Sequence, residues 1–281
     1  MGRYARQVRS ALVLILIVCA TLWVVVRWLQ PKMAFFPWAG VQRTPAAAGI
    51  PFRDVEITTS DGIRLHGWWM EHAAPRAAVI YWHGNGGNLS LWLDVLADIH
   101  RRGFSVLAVD YRGYGASAGA PSERGIYLDA QAATAYYEQH LRRPDVRTLY
   151  WGRSLGCSVA SHAATGTTPD AMILESPFPD VRSLFAGNVV MTTLGLFASY
   201  RFPTSEHLRG YSGPLLVLHG DADSIIPFRS GQQVYDSAHT SRKTFVVLEG
   251  ADHNDVHAGH PAYWPAVDRF LEDAFQQRSG G

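Results

Sequence analysis

Residues 147–164 read RTLYWGRSLGCSVASHAA. An apolar run stops at a glycine, Ser154 stands between Gly152 and Gly156, and small residues follow. A short unbroken apolar run is the pattern of a strand buried on both faces, and the residues after Gly156 suit a helix packed closely behind it. Ser154 is therefore placed on a strand-to-helix turn. At such a turn the hydroxyl is exposed, the glycines avoid collision between strand and helix, and the helix N-terminus favours negative charge developing nearby. Gly-x-Ser-x-Gly also arises by chance, so its meaning depends on what else the chain supplies.

Five further runs share the pattern. AAVIYW (77–82) ends in HGNGGN, FSVLAV (104–109) in DYRGYG, AMIL (171–174) in ESPF, PLLVL (214–218) in HGDAD, and KTFVVL (243–248) in EGADH. Before them, FRDVEITTSDGIRLHGWWME alternates on both sides of Asp61-Gly62, which predicts a β-hairpin. Helical stretches separate several runs. Leu89, Leu93, Leu96 and Ile99 recur at helical spacing and stop at Gly103, and a second helix starts at a Ser122 cap and ends before Pro144. The expected fold is α/β: an eight-stranded, mostly parallel sheet with helices on both faces. Ligands bind such sheets at the carboxyl ends of the strands, where every polar and glycine-rich cluster falls.

A serine hydroxyl needs a base to attack at neutral pH. Candidates for an acid and a base stand downstream, at the ends of the last two runs. HGDAD offers Asp221 and Asp223, and Asp223 is preferred because it lies further out on the loop. EGADH offers His253, which is closest to its strand end, while His257 and His260 are expected to begin the following helix. An oxyanion needs backbone donors, for which the N–H groups of Leu155 and Asn85 are the candidates. His83, Asp110 and Arg112 read as organisers of their loops.

Through HGNGGN, DYRGYGASAG, GRSLG, HGDAD and GADHND, in that order, the chain resembles the α/β-hydrolase superfamily over roughly residues 50–278. Within it, the likeness is to membrane-anchored serine hydrolases, depalmitoylase-like and serine-aminopeptidase-like. The resemblance implies Ser154 as nucleophile, Asp223 as acid and His253 as base, with no metal and no cofactor. The reaction implied is cleavage of a carboxylic ester or thioester in a small-molecule substrate. An amidase or aminopeptidase would use the same groups, with Glu175 available to hold a substrate amine. A non-catalytic membrane-anchored binding module is the alternative from another class.

The resemblance also implies a small helical cap at about 177–212, between AMIL and PLLVL. Within it Phe185, Val189, Val190, Met191, Leu194, Leu196, Phe197 and Tyr200 spread around a helix. Such a helix is buried or faces an apolar partner. Either it packs beneath the cap, or part of it lines an acyl pocket or meets a bilayer. Leu194 and Phe197 are the expected substrate-binding residues.

The chain has 281 residues, 47% hydrophobic and 17% charged, with a net charge of +1. That composition fits one domain with a large core and excludes the basic field that nucleic-acid binding needs. Cys19 and Cys157 are poorly placed to pair. Residues 11–26, ALVLILIVCATLWVVV, are uncharged and follow a tail carrying Arg3, Arg6 and Arg9. Extended to residues 10–29 by Ser10 and the snorkelling Arg27, this reads as a membrane-spanning anchor with Trp23 and Trp28 at an interface. The bulky, charged residues after it do not fit a signal-peptidase site. The expected organisation is an anchor over 1–30, a linker over 31–50 and the catalytic domain over 51–278. The basic tail predicts a cytoplasmic N-terminus and a domain on the non-cytoplasmic side.

Overall fold

The computed structural model describes residues 2–185, 189–257 and 259–276. Residues 186–188 of the expected cap and residues 277–278 at the expected domain end lie outside the described residues. The chain opens with helix α1, Gly2–Ala34, followed by the two-residue strand β1, Phe36–Pro37, and a 3-10 turn, Pro45–Ala48. The hairpin strands are β2, Arg53–Thr58, and β3, Arg64–Met70. Next come β4, Ala77–Trp82; β5, Gly86–Gly87; α2, Leu89–Arg101; and β6, Phe104–Val109. Then follow α3, Glu123–His140; β7, Thr148–Arg153; α4, Leu155–Gly166; and β8, Ala171–Glu175. The cap carries α5, Val181–Leu184; α6, Val189–Gly195; and α7, Thr204–Leu208. The chain closes with β9, Leu215–Gly220; α8, Phe228–Ser237; β10, Lys243–Leu248; and α9, Tyr263–Gln276.

Eight strands form one sheet in the order β10-β9-β8-β7-β4-β6-β3-β2. Only the hairpin and its join to β6 are antiparallel. Alternate residues of β4 divide between two cores: Ala78, Ile80 and Trp82 face one layer, Ala77, Val79 and Tyr81 the other. The first layer holds apolar residues of α3, α4 and α8, the second those of α2 and α9. In β4, β6, β7, β8 and β9 the unbroken apolar runs follow from burial on both faces; β10, which shares the pattern in sequence, lies at the sheet edge with only Leu248 buried.

The strand order turns around beside β4. The chain crosses from β4 to β6 on one side and then fills β7, β8, β9 and β10 on the other. The crevice at such a reversal, outside the strand carboxyl ends, is where this architecture places ligands. Ser154 follows β7 there, beside the loop that follows β4.

Segment 31–50 lacks periodicity, as a connection does, but it is packed. Phe36 and Pro37 pair in parallel with Gly86 and Gly87, in a two-stranded ladder separate from the main sheet. Phe35 is 3% exposed and sits in the core. A glycine pair and two neighbours carry no alternation from which such a ladder is read.

Helix α1 is uniformly apolar along its middle, and the 18-residue window that would cross a membrane has no residue buried against the rest of the protein. Arg27 lies 4.9 Å over the Trp23 ring and Lys32 lies 4.6 Å over Trp28, near the helix end.

The cap differs from its expected form. Helix α6 covers only 189–195, so Phe185, Leu196, Phe197 and Tyr200 fall outside it. The segment is not uniformly buried: Val189 and Val190 of α6 and Leu196 after it are 80%, 67% and 70% exposed, while Leu194 and Phe197 are half-buried.

Candidate active site

Ser154 joins β7 to α4 with φ 53° and ψ −115°. A positive φ at a non-glycine residue costs on the order of 1–3 kcal/mol and persists only where the surroundings enforce it. Here Ser154 N–H donates to the Glu175 carbonyl at 2.9 Å, and Ser154 O accepts the Cys157 N–H at 3.0 Å. The flanking glycines are dictated by space. A Cβ on Gly152 would lie 2.3 Å from the Gly156 carbonyl oxygen, and one on Gly156 would lie 1.9 Å from that of Trp82.

His253 and Asp223 come from loops after neighbouring strands β10 and β9. His253 Nδ1 is 2.8 Å from Asp223 Oδ2. An ionised carboxylate only accepts, so Nδ1 carries the proton and Nε2 keeps a free lone pair. Asp223 Oδ1 accepts the N–H groups of Ile225 and Ile226 at 3.0 and 2.7 Å. Behind it, His219 Nε2 stands 3.4 Å from Asp223 Oδ2 and 3.0 Å from the Ile226 carbonyl. Burial alone would raise the Asp223 pKa. The His219 and His253 side chains and the Ile226 N–H more than reverse this and hold it well below the usual carboxylate range.

The other acid and histidines are engaged elsewhere. Asp221 Oδ1 accepts the Gly250 N–H at 2.6 Å, bracing the loop that carries His253. His257 Nδ1 meets the Tyr263 hydroxyl at 3.0 Å, and its Nε2 is 3.2 Å from Asp98 Oδ2. His260 Nε2 is 3.2 Å from the Glu249 carbonyl. Neither His257 nor His260 begins the following helix, as had been expected; both lie in the loop before α9, which starts at Tyr263.

The oxyanion candidates flank the serine because their strands are neighbours. Trp82 of β4 sits opposite Gly152 of β7. Leu155 is the first residue of α4, where a backbone N–H has no acceptor within the helix. Asn85 lies two residues beyond His83 in the β4 loop. That loop is braced throughout. His83 Nδ1 bonds the Gly84 carbonyl at 2.7 Å, and burial holds the ring at a pKa of about 4 against that bond. Asp110 accepts the Leu89 N–H at 2.9 Å, and burial pushes it up to about 7. Arg112 ties Asp129 and Asp61 together through bonds of 2.8 to 3.0 Å. All three residues shape loops, in keeping with their reading from sequence.

Glu175 is fully buried. Its Oε1 accepts the Trp151 Nε1–H at 2.5 Å and the Tyr263 hydroxyl, while Arg153 Nη1 lies 3.6 Å from Oε2. Arg153 Nη2 donates to the His253 carbonyl at 2.9 Å. The residue before the serine thus ties the serine turn to the histidine loop. Sequence reasoning missed this role and that of His219. Both residues stand inside the quoted motifs, but nothing in their spacing reveals their partners. Among the described residues, no group of His, Cys, Asp and Glu side chains forms a metal site.

A strained serine at the reversal of a mostly parallel sheet, with a His–Asp pair on two later strand ends, defines the α/β-hydrolase class. The family model described as serine aminopeptidase, S33, matches residues 73–209. An uncharacterized protein of Mycobacterium tuberculosis is 33% identical over 228 residues, which are 80% of this chain and 81% of that protein. The mouse lysophosphatidylserine lipase ABHD12 is 30% identical over 231 residues, 73% of this chain and 58% of the lipase. Among solved structures, the Pyrococcus furiosus esterase Pf2001 superposes with a TM-score of 0.71 at 23% identity, covering 85% of this chain and 98% of the esterase. The chain belongs to the α/β-hydrolase superfamily.

Proposed function

We propose that the protein is a membrane-tethered serine hydrolase that cleaves carboxylic esters or thioesters through an acyl-enzyme on Ser154. The observation that carries this reading is the 2.8 Å bond from His253 Nδ1 to Asp223, which leaves Nε2 as a base on the strand ends that carry Ser154. Ser154 Oγ attacks the substrate carbonyl as its proton passes to His253 Nε2. The oxygen turned negative takes the N–H groups of Leu155 and Asn85, and Asp223 stabilises the imidazolium. His253 then protonates the departing alcohol or thiol. Water repeats the sequence on the acyl-enzyme and frees the acid and Ser154.

An apolar acyl chain suits the apolar surface that the cap and the acid loop leave open. Val189, Val190 and Leu196 of the cap and Ile225 of the acid loop are exposed. A lipid chain supplies a partner for such surface, and a relative named as a lysophosphatidylserine lipase supports the same substrate class. The aminopeptidase reading needs a carboxylate free for a substrate amine. Glu175, the candidate, is buried beneath the serine turn and engaged by Trp151 and Tyr263. Residues 10–29 cross the membrane, and the basic N-terminal tail puts the catalytic domain on the non-cytoplasmic side.

The test is a fluorophosphonate probe with a p-nitrophenyl ester series. Wild type labels and prefers medium acyl chains over acetyl, since each buried methylene contributes about 0.8 kcal/mol. Ser154→Ala abolishes labelling and turnover with the fold intact. Polar replacement of Leu194 or Phe197 flattens the chain-length preference more than it lowers acetyl turnover. Undiminished labelling of Ser154→Ala rejects the nucleophile, and faster cleavage of aminoacyl anilides than of esters favours the peptidase.

A further inference from the structure

The segment that leaves the membrane helix is built into the loop that carries Asn85. The Asn85 side-chain Nδ2 donates to the carbonyl of Ala34, the last residue of α1, at 2.7 Å. Two residues on, Phe36 and Pro37 pair with Gly86 and Gly87, and Trp38 N–H donates to the Gly87 carbonyl at 2.9 Å. The Trp38 carbonyl accepts the Gly115 N–H at 2.8 Å, and Gly40 N–H returns a bond of 2.8 Å to Gly115. From the loop side, Asn88 Nδ2 reaches the Gly40 carbonyl at 2.7 Å and Gln42 Oε1 at 2.8 Å. Tyr114 closes the arrangement by donating from its hydroxyl to the backbone and side-chain oxygens of Asn85, each at 2.9 Å.

We infer that residues 34–42 are a positioning element of the catalytic site: the exit of the membrane anchor fixes the direction of the Asn85 N–H toward the oxyanion. This rests on the reading of Asn85 as an oxyanion donor. The two glycines at 86 and 87 supply no side chain to lock their own conformation, and they carry the highest backbone freedom of any residue. The loop's shape is therefore imposed by its partners: Trp92 Nε1–H donates to the Gly86 carbonyl at 3.0 Å, Tyr114 holds Asn85, and the juxtamembrane strand pairs along both glycines. An oxyanion donor must sit within hydrogen-bond reach of an atom that becomes charged only during reaction, so a small change in its direction affects the transition state more than substrate binding. The anchor then contributes to catalysis as well as to location.

The experiment uses the full chain in lipid nanodiscs with a p-nitrophenyl ester and a fluorophosphonate. Asn85→Asp keeps the side chain's size and both acceptors for Tyr114 but faces the Ala34 carbonyl with an oxygen instead of a donor. Trp38→Pro removes the N–H that bonds Gly87 at an exposed position, and serves where Asn85→Asp does not fold. Each is expected to lower kcat and the phosphonylation rate together by about 10- to 100-fold, with KM within about twofold and Tm little changed. Arg43→Ala breaks only the exposed ion pair with Asp94 in the same segment and is expected to leave both constants unchanged. Wild-type kcat in folded Asn85→Asp and Trp38→Pro, or a rise in KM alone, overturns the inference while wild-type turnover keeps the hydrolase reading intact. A wild-type protein that neither labels nor turns over overturns both.

Discussion

Asp223 and Asp221 stand two residues apart on one loop, yet their surroundings give them different work. Asp223 is 9% exposed and takes His253, His219 and two backbone N–H groups, so in the proposed reaction it serves as a fixed anion. Asp221 is exposed and its carboxylate accepts the Gly250 N–H. Asp223→Asn is expected to lower kcat on the order of ten-thousandfold, because the amide imposes the wrong histidine tautomer. Asp221→Asn keeps an oxygen that accepts the Gly250 N–H and loses only the charge behind that bond, so it should cost less than about tenfold. Steady-state kinetics on both variants decides, and a larger loss at Asp221 contradicts the assignment. The preference for Asp223 was available from its place further along the loop, and the preference for His253 from its closeness to a strand end. The support behind them was not legible: His219 acts through the bend of its own loop onto Asp223 and Ile226, and Arg153 through a bond to His253 on a distant segment, neither of which periodicity encodes.

Among the elements, the strands were easiest to read, because burial on both faces removes polar residues from AAVIYW, FSVLAV and their like. The 31–50 segment was harder. Its ladder has two residues on each side and glycines opposite, too short for alternation to register. The cap was harder still, since hydrophobicity marks Val189, Val190 and Leu196 as apolar but does not say whether anything covers them. One element joint carries a pH dependence. On α7, His207 faces Tyr127 of α3 at 5.4 Å and His162 of α4 at 4.9 Å, edge to face. Burial first, then the neighbouring His162, lowers its pKa to about 4, with Glu206 opposing and Arg201 adding to the fall. In the unfolded chain a histidine titrates near 6.5. Between about pH 6.5 and pH 4 the unfolded state therefore binds a proton that the native state does not. Stability falls as pH drops through that window and is unaffected above it. Asp110, raised to about 7, acts in the opposite direction over much of the same range, but equally in wild type and variant. Between pH 8 and pH 5, wild type is expected to lose about 4–8 °C more in Tm than His207→Gln. Equal losses in thermal melts of the two proteins refute this role for His207.

At the scale of the molecule, the anchor, the Asn85 loop and the cap lie in continuous contact. Gln30 Oε1 near the end of α1 accepts the Ser199 N–H of the cap at 2.9 Å, and the Phe35 and Tyr200 rings are 5.4 Å apart. In the proposed tethered arrangement, an uncleaved helix would bring the apolar cap surface beside the bilayer. Membrane fractionation with N-terminal sequencing should find the protein membrane-bound with its helix intact, whereas a soluble form starting after residue 20 contradicts the tether. The central claim concerns chemistry, and it is tested most directly by trapping the intermediate. The full chain is mixed with p-nitrophenyl octanoate, quenched in acid within the first turnover, digested, and analysed by mass spectrometry. The account predicts an octanoyl adduct on the peptide at Ser154 that grows with the nitrophenol burst, disappears on further incubation and is absent from Ser154→Ala. Steady ester turnover with no adduct on Ser154, or with the adduct on another residue, contradicts it.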